Sequence, residues 1–344
     1  MIVDHQGRQF KSLRVSITAA CNYACTYCVP NGKKLVAAQD ELTTDQLIRA
    51  VKLLISTVGI EKLRITGGEP LISPKFDSFL QGVSELGLQD ISVTTNAQFL
   101  AKKAQVLFDS GIKRVNISLD TLNPLAFSKI ARSGDLETVL HGIETMLVAG
   151  ISVKINMVPL RHSNKDQILT MLRFCLEKNI ELRFIELMNM GHLQHSKTYQ
   201  TEFIGKAEIL EIIGEHYEFA RTGSAYDSTS VRYEVIGTEH SELLSDQESN
   251  GNKGITDETG RGSFGIIANE SEPFCRTCTR LRLSSNGYLY GCLSNSNRHS
   301  IHEVLEMEDD QAIGHLQAIL SNALKDKQDK QFIGEYTVMK FIGG

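Results

Sequence analysis

The sequence predicts an α/β fold built on a parallel sheet, followed by a smaller C-terminal extension. Three observations predict it. Six short β-rich runs recur across the first 190 residues. Amphipathic helical segments separate most of them, and the alternation ends near residue 200. Strands that alternate with helices form parallel sheets through right-handed crossovers. Six units are fewer than the eight of a closed barrel. An open six-unit half barrel and a doubly wound sheet both satisfy the pattern. Both gather ligands at the C-terminal ends of the strands.

The runs are LRVSIT (13–18), KLRIT (62–66), DISVTT (90–95), RVNISL (114–119), SVKINMV (152–158) and ELRFIELM (181–188). The clearest helix follows the first. In TTDQLIRAVKLLISTVG, Leu47, Ala50, Val51, Leu54, Ile55 and Val58 recur at helical spacing. Thr43 and Gln46 form a capping box, and Gly59 is the stop. Similar helices fit 75–86, 98–110, 136–149 and 164–178. These units define a first domain over 1–200.

A second domain spans 201–344. GKAEILEIIGEHY reads as a helix and SVRYEVIG as a strand. The stretch 238–263 is polar and rich in Gly, Ser and acid, which predicts a mobile surface insert. In CTRLRLSSNGYLYGCL, two alternating runs flank Ser285-Asn286-Gly287, a hairpin signal. A three-residue loop with Gly287 in the left-handed conformation pairs residue 280 with 292. Arg280, Arg282 and Cys292 then share one face.

The 344 residues are 41% hydrophobic and 22% charged, as in ordinary globular proteins. A formal charge of −5 excludes a global basic field for nucleic acid, so any anionic ligand needs a local cationic cluster. No run of 18 apolar residues predicts a membrane span, and the N-terminus lacks a signal-peptide core. The expectation is a cytoplasmic protein. There, its seven cysteines serve as metal ligands or buried thiols rather than disulfides.

Six of the seven form two triplets. Cys21, Cys25 and Cys28 are spaced C-x3-C-x2-C directly after the first strand, and Cys275, Cys278 and Cys292 are spaced C-x2-C-x13-C. Cys175 stands alone in a helical pattern and reads as a buried hydrophobe. Thiolates are soft ligands that suit zinc or iron–sulfur clusters. Structural zinc takes four protein ligands, whereas three cysteines suit three corners of a [4Fe–4S] cube with one iron left open. His299 or His302 could complete a zinc site with the second triplet, so both metals stay open there.

The cysteine loop lies beside TGGEP, which follows the second strand. Gly67 and Gly68 allow close backbone approach to a ligand, and Glu69 can accept from a ligand ammonium. C-x3-C-x2-C after a first strand, Tyr27 before the last cysteine, and GGEP after the second strand resemble the radical S-adenosylmethionine superfamily. The resemblance implies a partial, six-unit TIM-like barrel. It implies a cluster whose open iron chelates S-adenosylmethionine, and a 5′-deoxyadenosyl radical made by one-electron cleavage. Tyr27, Gly68, Ser118 and Met188 match positions lining that cofactor's site.

Over nearly its full length the chain resembles the GTP 3′,8-cyclase branch, which acts in molybdenum cofactor biosynthesis. LRVSIT, CTYCVP, KLRITGGEPL, VNISLDTL, VKINMV, RFIELM, SEPFCRTCTRLRLSSNGYLYGCL and the terminal GG carry the resemblance. It implies two [4Fe–4S] clusters, the second holding guanine. It implies abstraction of the ribose 3′ hydrogen of GTP and attack of C3′ on C8. Arg14, Lys62, Arg64, Thr94, Lys154, Arg183, Arg280 and Arg282 match GTP-contacting positions. Gly343 and Gly344 match a tail that supports catalysis. The implied partners are an electron donor, a downstream cyclic pyranopterin monophosphate synthase and a second copy of the chain. Neither nucleic acid nor membrane is expected.

The chain departs from the family pattern at two sites near the first cluster. Ala19-Ala20 replaces the usual Asp-Arg, and LISPK replaces the usual arginines after GGEP. Competing readings are a peptide-modifying radical enzyme with auxiliary clusters and a metal-stabilised binding protein. The former usually carries more than three C-terminal cysteines.

Overall fold

The computed structural model describes residues 2–4, 6–223, 228–238 and 262–335. The six β-rich runs form β1 (Ser12–Ser16), β2 (Lys62–Thr66), β3 (Asp90–Thr95), β4 (Arg114–Ser118), β5 (Ser152–Met157) and β6 (Glu181–Ile185). They lie side by side in sequence order, each parallel to the next. The order never reverses, so the crossovers all turn the same way and the doubly wound alternative does not apply. The result is an open partial barrel. One face of the strands packs on helices and the other faces a cavity.

Alternation explains which face is which. Leu13, Val15, Leu63 and Ile65 are fully or nearly fully buried toward the helices. Arg14 and Arg64 sit between them on the opposite face. The helix Thr44–Val58 shows the expected construction. Thr43 and Gln46 exchange both capping-box bonds, and Gly59 ends the helix at φ 76°. Helices also form at Phe76–Ser84, Leu100–Asp109, Leu136–Val148 and Ile168–Glu177. Cys175 is fully buried in the last of these, where burial pushes its thiol up to about 12.

The C-terminal segment does not fold apart from this sheet. It supplies β7 (Tyr217–Thr222), β8 (Val231–Thr238), β9 (Gly262–Ile267), β10 (Arg280–Leu283), β11 (Tyr288–Tyr290) and β12 (His299–Ser300). The sheet runs β12-β11-β10-β1-β2-β3-β4-β5-β6-β9-β8-β7. β10 is parallel to β1, and β9 is parallel to β6. The extension therefore lengthens the parallel core at both edges. Thr238, Gly262 and Ser263, expected in the insert, belong to strands instead: Thr238 pairs with Tyr217 of β7, and Gly262 and Ser263 pair with Val235 and Glu234 of β8. Residues 239–261 of that insert lie outside the described residues, as do Gly343 and Gly344.

The hairpin follows the expected register. Arg282 faces Tyr290, Leu283 faces Leu289, and Gly287 takes φ 74°. A 17-residue helix, Asp309–Lys325, packs beside it and was not foreseen. Among the described residues no helix is long and apolar enough to cross a membrane.

Candidate active site

The first cysteine triplet lies on the loop leaving β1. Short backbone bonds fix it. Cys28 and Val29 N–H both donate to the Cys25 carbonyl, and Cys21 N–H donates to Leu35. Ala24 and Thr26 donate to Ala131 and Ile130 at the end of the helix Pro124–Ala131. Glu41 accepts from Ala19 N–H at 2.7 Å and pairs with Lys75 at 2.9 Å. Burial, before any neighbouring charge, pushes Cys21 up to about 11 and Cys28 up to about 12. Cys25 is also raised well above the ordinary thiol range, again chiefly by burial. Metal binding at such thiols would be coupled to proton release.

The TGGEP turn packs against this loop rather than standing open. A Cβ on Gly67 would lie 2.7 Å from the Thr18 carbonyl oxygen. One on Gly68 would lie 2.3 Å from that of Ala20. The glycines are thus required by loop–loop contact, and both also line the adjoining cavity. Glu69 is 1% exposed and accepts from Leu71 N–H, Asn96 N–H and the Thr95 hydroxyl. Burial still carries its carboxyl up to about 7 against those donors. Asp120, likewise raised by burial to about 6, accepts from Tyr27 Oη at 2.7 Å and Val158 N–H at 2.8 Å.

The second triplet faces the first across one cavity of about 520 Å³ lined by all six thiols. Cys275 opens a single helical turn, Cys278 precedes β10, and Cys292 follows β11. Cys278 differs from the rest. Burial opposes its ionisation, yet the charges of Arg280 and Lys327 hold it well below the ordinary thiol range. Neither histidine once considered for this triplet lines the cavity. His299 is bound to Asp326 at 2.7 Å, and His302 to the Asn286 carbonyl at 3.1 Å. Among the described residues no three His, Cys, Asp or Glu side chains converge on one metal ion. Three sulfurs on one zinc, at about 2.3 Å each, would lie within about 4 Å of one another. Each triplet is a set of three soft sulfur donors, the ligand type that iron–sulfur clusters and zinc both take.

Sheet register assembles the cationic part. Arg14 stands in register with Arg282 on one side and Arg64 on the other. All three line the cavity with Lys62, Thr94, Arg183 and Arg280. Burial and then mutual repulsion depress these guanidinium groups. Arg64 and Arg282 fall to about 9, and Arg14 falls well below its usual range. Tyr27, Gly68, Glu69, Ser118 and Met188 also line the cavity. Ser118 is exposed to it, which removes a core-packing role. Lys154 is absent from the lining; its Nζ donates to Glu181 at 2.9 Å, and Glu181 also holds Arg183 Nε at 2.5 Å.

Sequence reasoning missed several lining residues. Asp90 and Arg114 form an ion pair at 2.8 Å. The side-chain amide oxygens (Oδ1) of Asn156 and Asn269 are buried there without a protein partner. Strand alternation could have found Asn156, two residues beyond Lys154. Lys327 carried no local signal.

These features are those of a known class. Residues 15–175 match the Radical SAM superfamily, and residues 180–333 match Molybdenum Cofactor Synthesis C. The chain is a radical S-adenosylmethionine protein, a class that carries an iron–sulfur cluster and S-adenosylmethionine. A GTP 3′,8-cyclase of Sulfurovum sp. is 36% identical over 330 residues, covering 95% of this chain and 92% of that protein. A GTP 3′,8-cyclase of Campylobacter fetus is 35% identical over 333 residues, covering 96% and 94%. The chain belongs to the GTP 3′,8-cyclase family. SuiB of Streptococcus suis, solved with precursor peptide SuiA, shares the fold at TM-score 0.59 and 17% identity, covering 90% of this chain and 67% of that one.

Proposed function

We propose that the chain converts GTP to 3′,8-cyclo-7,8-dihydro-GTP, the first step of molybdenum cofactor biosynthesis, in the cytoplasm. One observation carries the reading. A single cavity holds two facing thiol triplets and a row of mutually repelling arginines. Cations gathered in one cavity and repelling one another favour an anionic ligand, and a triphosphate is one. Arg binds phosphate oxygens bidentately.

In this reading Cys21, Cys25 and Cys28 hold one [4Fe–4S] cluster, and Cys275, Cys278 and Cys292 hold a second. With S-adenosylmethionine bound, the first supplies a 5′-deoxyadenosyl radical for hydrogen abstraction from the ribose. Tyr27, Gly68, Ser118 and Met188 line the end of the cavity where S-adenosylmethionine sits, and Glu69 braces the turn behind it. Arg14, Lys62, Arg64, Thr94, Arg183, Arg280 and Arg282 receive GTP. Lys154 acts through Glu181, which it shares with Arg183. Gly343 and Gly344 complete the pocket, an electron donor and a downstream cyclic pyranopterin monophosphate synthase act in sequence with it, and the chain works as a homodimer.

The test is anaerobic incubation of reconstituted protein with GTP, S-adenosylmethionine and dithionite, followed by mass spectrometry. The cyclised nucleotide is expected. Release of 5′-deoxyadenosine with GTP untouched would assign another substrate.

A further inference from the structure

Lys327 lies beyond the helix Asp309–Lys325 and is only 6% exposed. Its Nζ donates to Cys278 Sγ at 3.3 Å and to the Arg280 carbonyl at 2.8 Å. The ammonium also stands 5.0 Å from the centre of the Phe10 ring. Burial disfavours its charge most, and the facing Cys278 and Cys292 sulfurs favour it. A buried ammonium is costly unless paired. Here the counter-charge is a cysteine sulfur.

Two independent contacts hold this segment against the cysteines. The helix end packs on Gly291, next to Cys292, so closely that a Cβ there would lie 1.9 Å from the Ala323 carbonyl oxygen. Arg8, 1% exposed, donates to the Cys275 carbonyl at 2.6 Å, to the Gln328 carbonyl at 3.3 Å and to Asp329 at 3.3 Å. Asp4 anchors Arg8 Nε at 2.6 Å. The cation therefore cannot swing away without breaking the packing of both chain ends.

We propose that Lys327 is a positioning residue that sets the reduction potential of the second cluster by hydrogen-bonding its Cys278 ligand. This rests on the reading of Cys275, Cys278 and Cys292 as cluster ligands. Reduction adds one negative charge to a cluster. A hydrogen bond and a fixed positive charge at a ligand sulfur stabilise the reduced form and raise the potential. The first triplet has no equivalent lysine bonded to a sulfur among the described residues.

The experiment uses full-length protein with the first triplet replaced by alanine, so that only the second cluster forms. Lys327→Met and Lys327→Arg are made in that background and titrated reductively, with the cluster followed by electron paramagnetic resonance. The Met variant should titrate at a clearly lower potential and the Arg variant near the parent. Loss of the cluster in Met but not in Arg would assign the charge to cluster retention and overturn the potential-setting role. An unmoved midpoint in Lys327→Met, or cluster loss in both variants, overturns the inference. A parent that binds no iron at the second triplet fails the two-cluster reading itself, and this inference with it.

Discussion

Gly68 lies so close to the cysteine loop that a Cβ on it would stand 2.3 Å from the carbonyl oxygen of Ala20. Gly68 N–H donates to the Thr18 carbonyl and Glu69 N–H to that of Ala20, each at 2.8 Å. This turn therefore reads the backbone of residues 18–20. The side chains of Ala19 and Ala20 take no part in those bonds. The Glu41–Lys75 ion pair braces the same loop, its carboxylate also accepting from Ala19 N–H. Gly68→Ala should destabilise the protein by about 1–3 kcal/mol through overpacking. It should also lower iron retention at the first triplet. Urea unfolding and iron analysis measure both, and a variant matching the parent in each would remove the contact from the account.

Burial, and then neighbouring guanidinium groups, disfavour charge on Arg282, Arg14 and Arg64. Arg64→Met should stabilise the ligand-free protein by about 1 kcal/mol, as relief of functional strain commonly does. The same change should weaken GTP binding at least tenfold. Calorimetry with GTP and S-adenosylmethionine-free protein separates the two effects. Loss of stability with unchanged GTP affinity would contradict the role assigned to the row.

Lys154 makes a contrasting case. It bonds Glu181 rather than lining the cavity. Lys154→Met should therefore weaken GTP binding less than Arg64→Met does. Removing Lys154 leaves Glu181 to Arg183 alone, which draws Arg183 away from an anion. Glu181→Gln should restore part of the affinity in the Lys154→Met background, measured as a double-mutant cycle. Strict additivity of the two changes would sink this indirect route.

The tail offers a separate check. A chain ending at Ile342 should bind S-adenosylmethionine normally yet lose most turnover of GTP. Full turnover by the truncated chain would exclude Gly343 and Gly344 from the pocket.

Local chemistry made much of this fold legible. Period-two runs marked β1 to β6, and Thr43, Gln46 and Gly59 marked both ends of a helix. The hairpin register followed from loop length and one left-handed glycine. What escaped is non-local. β9 pairs with β6 across about eighty residues, and β10 joins β1 across more than two hundred; neither neighbour leaves a mark in its partner's sequence. Asp309–Lys325 spaces Ala312, Leu316 and Leu320 four apart, but its small, mixed composition made a weak stripe. Lys327 gains meaning only because that helix ends against Gly291. The six thiols were legible because cysteine spacing survives in one dimension; their shared cavity required the sheet.

Asp120 supplies a pH test. Burial raises its carboxyl from 3.8 to about 6, opposed by the Val158 N–H and Tyr27 hydroxyl bonds. The folded state therefore holds this proton more tightly than the unfolded chain. Its contribution to stability is fully present below the unfolded value and is lost as pH rises through the folded one. For metal-free protein, this group should lower stability between about pH 4 and 6, by at most about 3 kcal/mol. Asp120→Asn cannot ionise, yet its amide oxygen can still accept from Val158 and its NH₂ can donate to Tyr27 Oη. The variant should unfold with a flatter pH profile over that window and be the more stable of the two near neutrality. Urea titrations at stepped pH decide it. An unchanged slope in Asp120→Asn would show that Asp120 is not the group responsible.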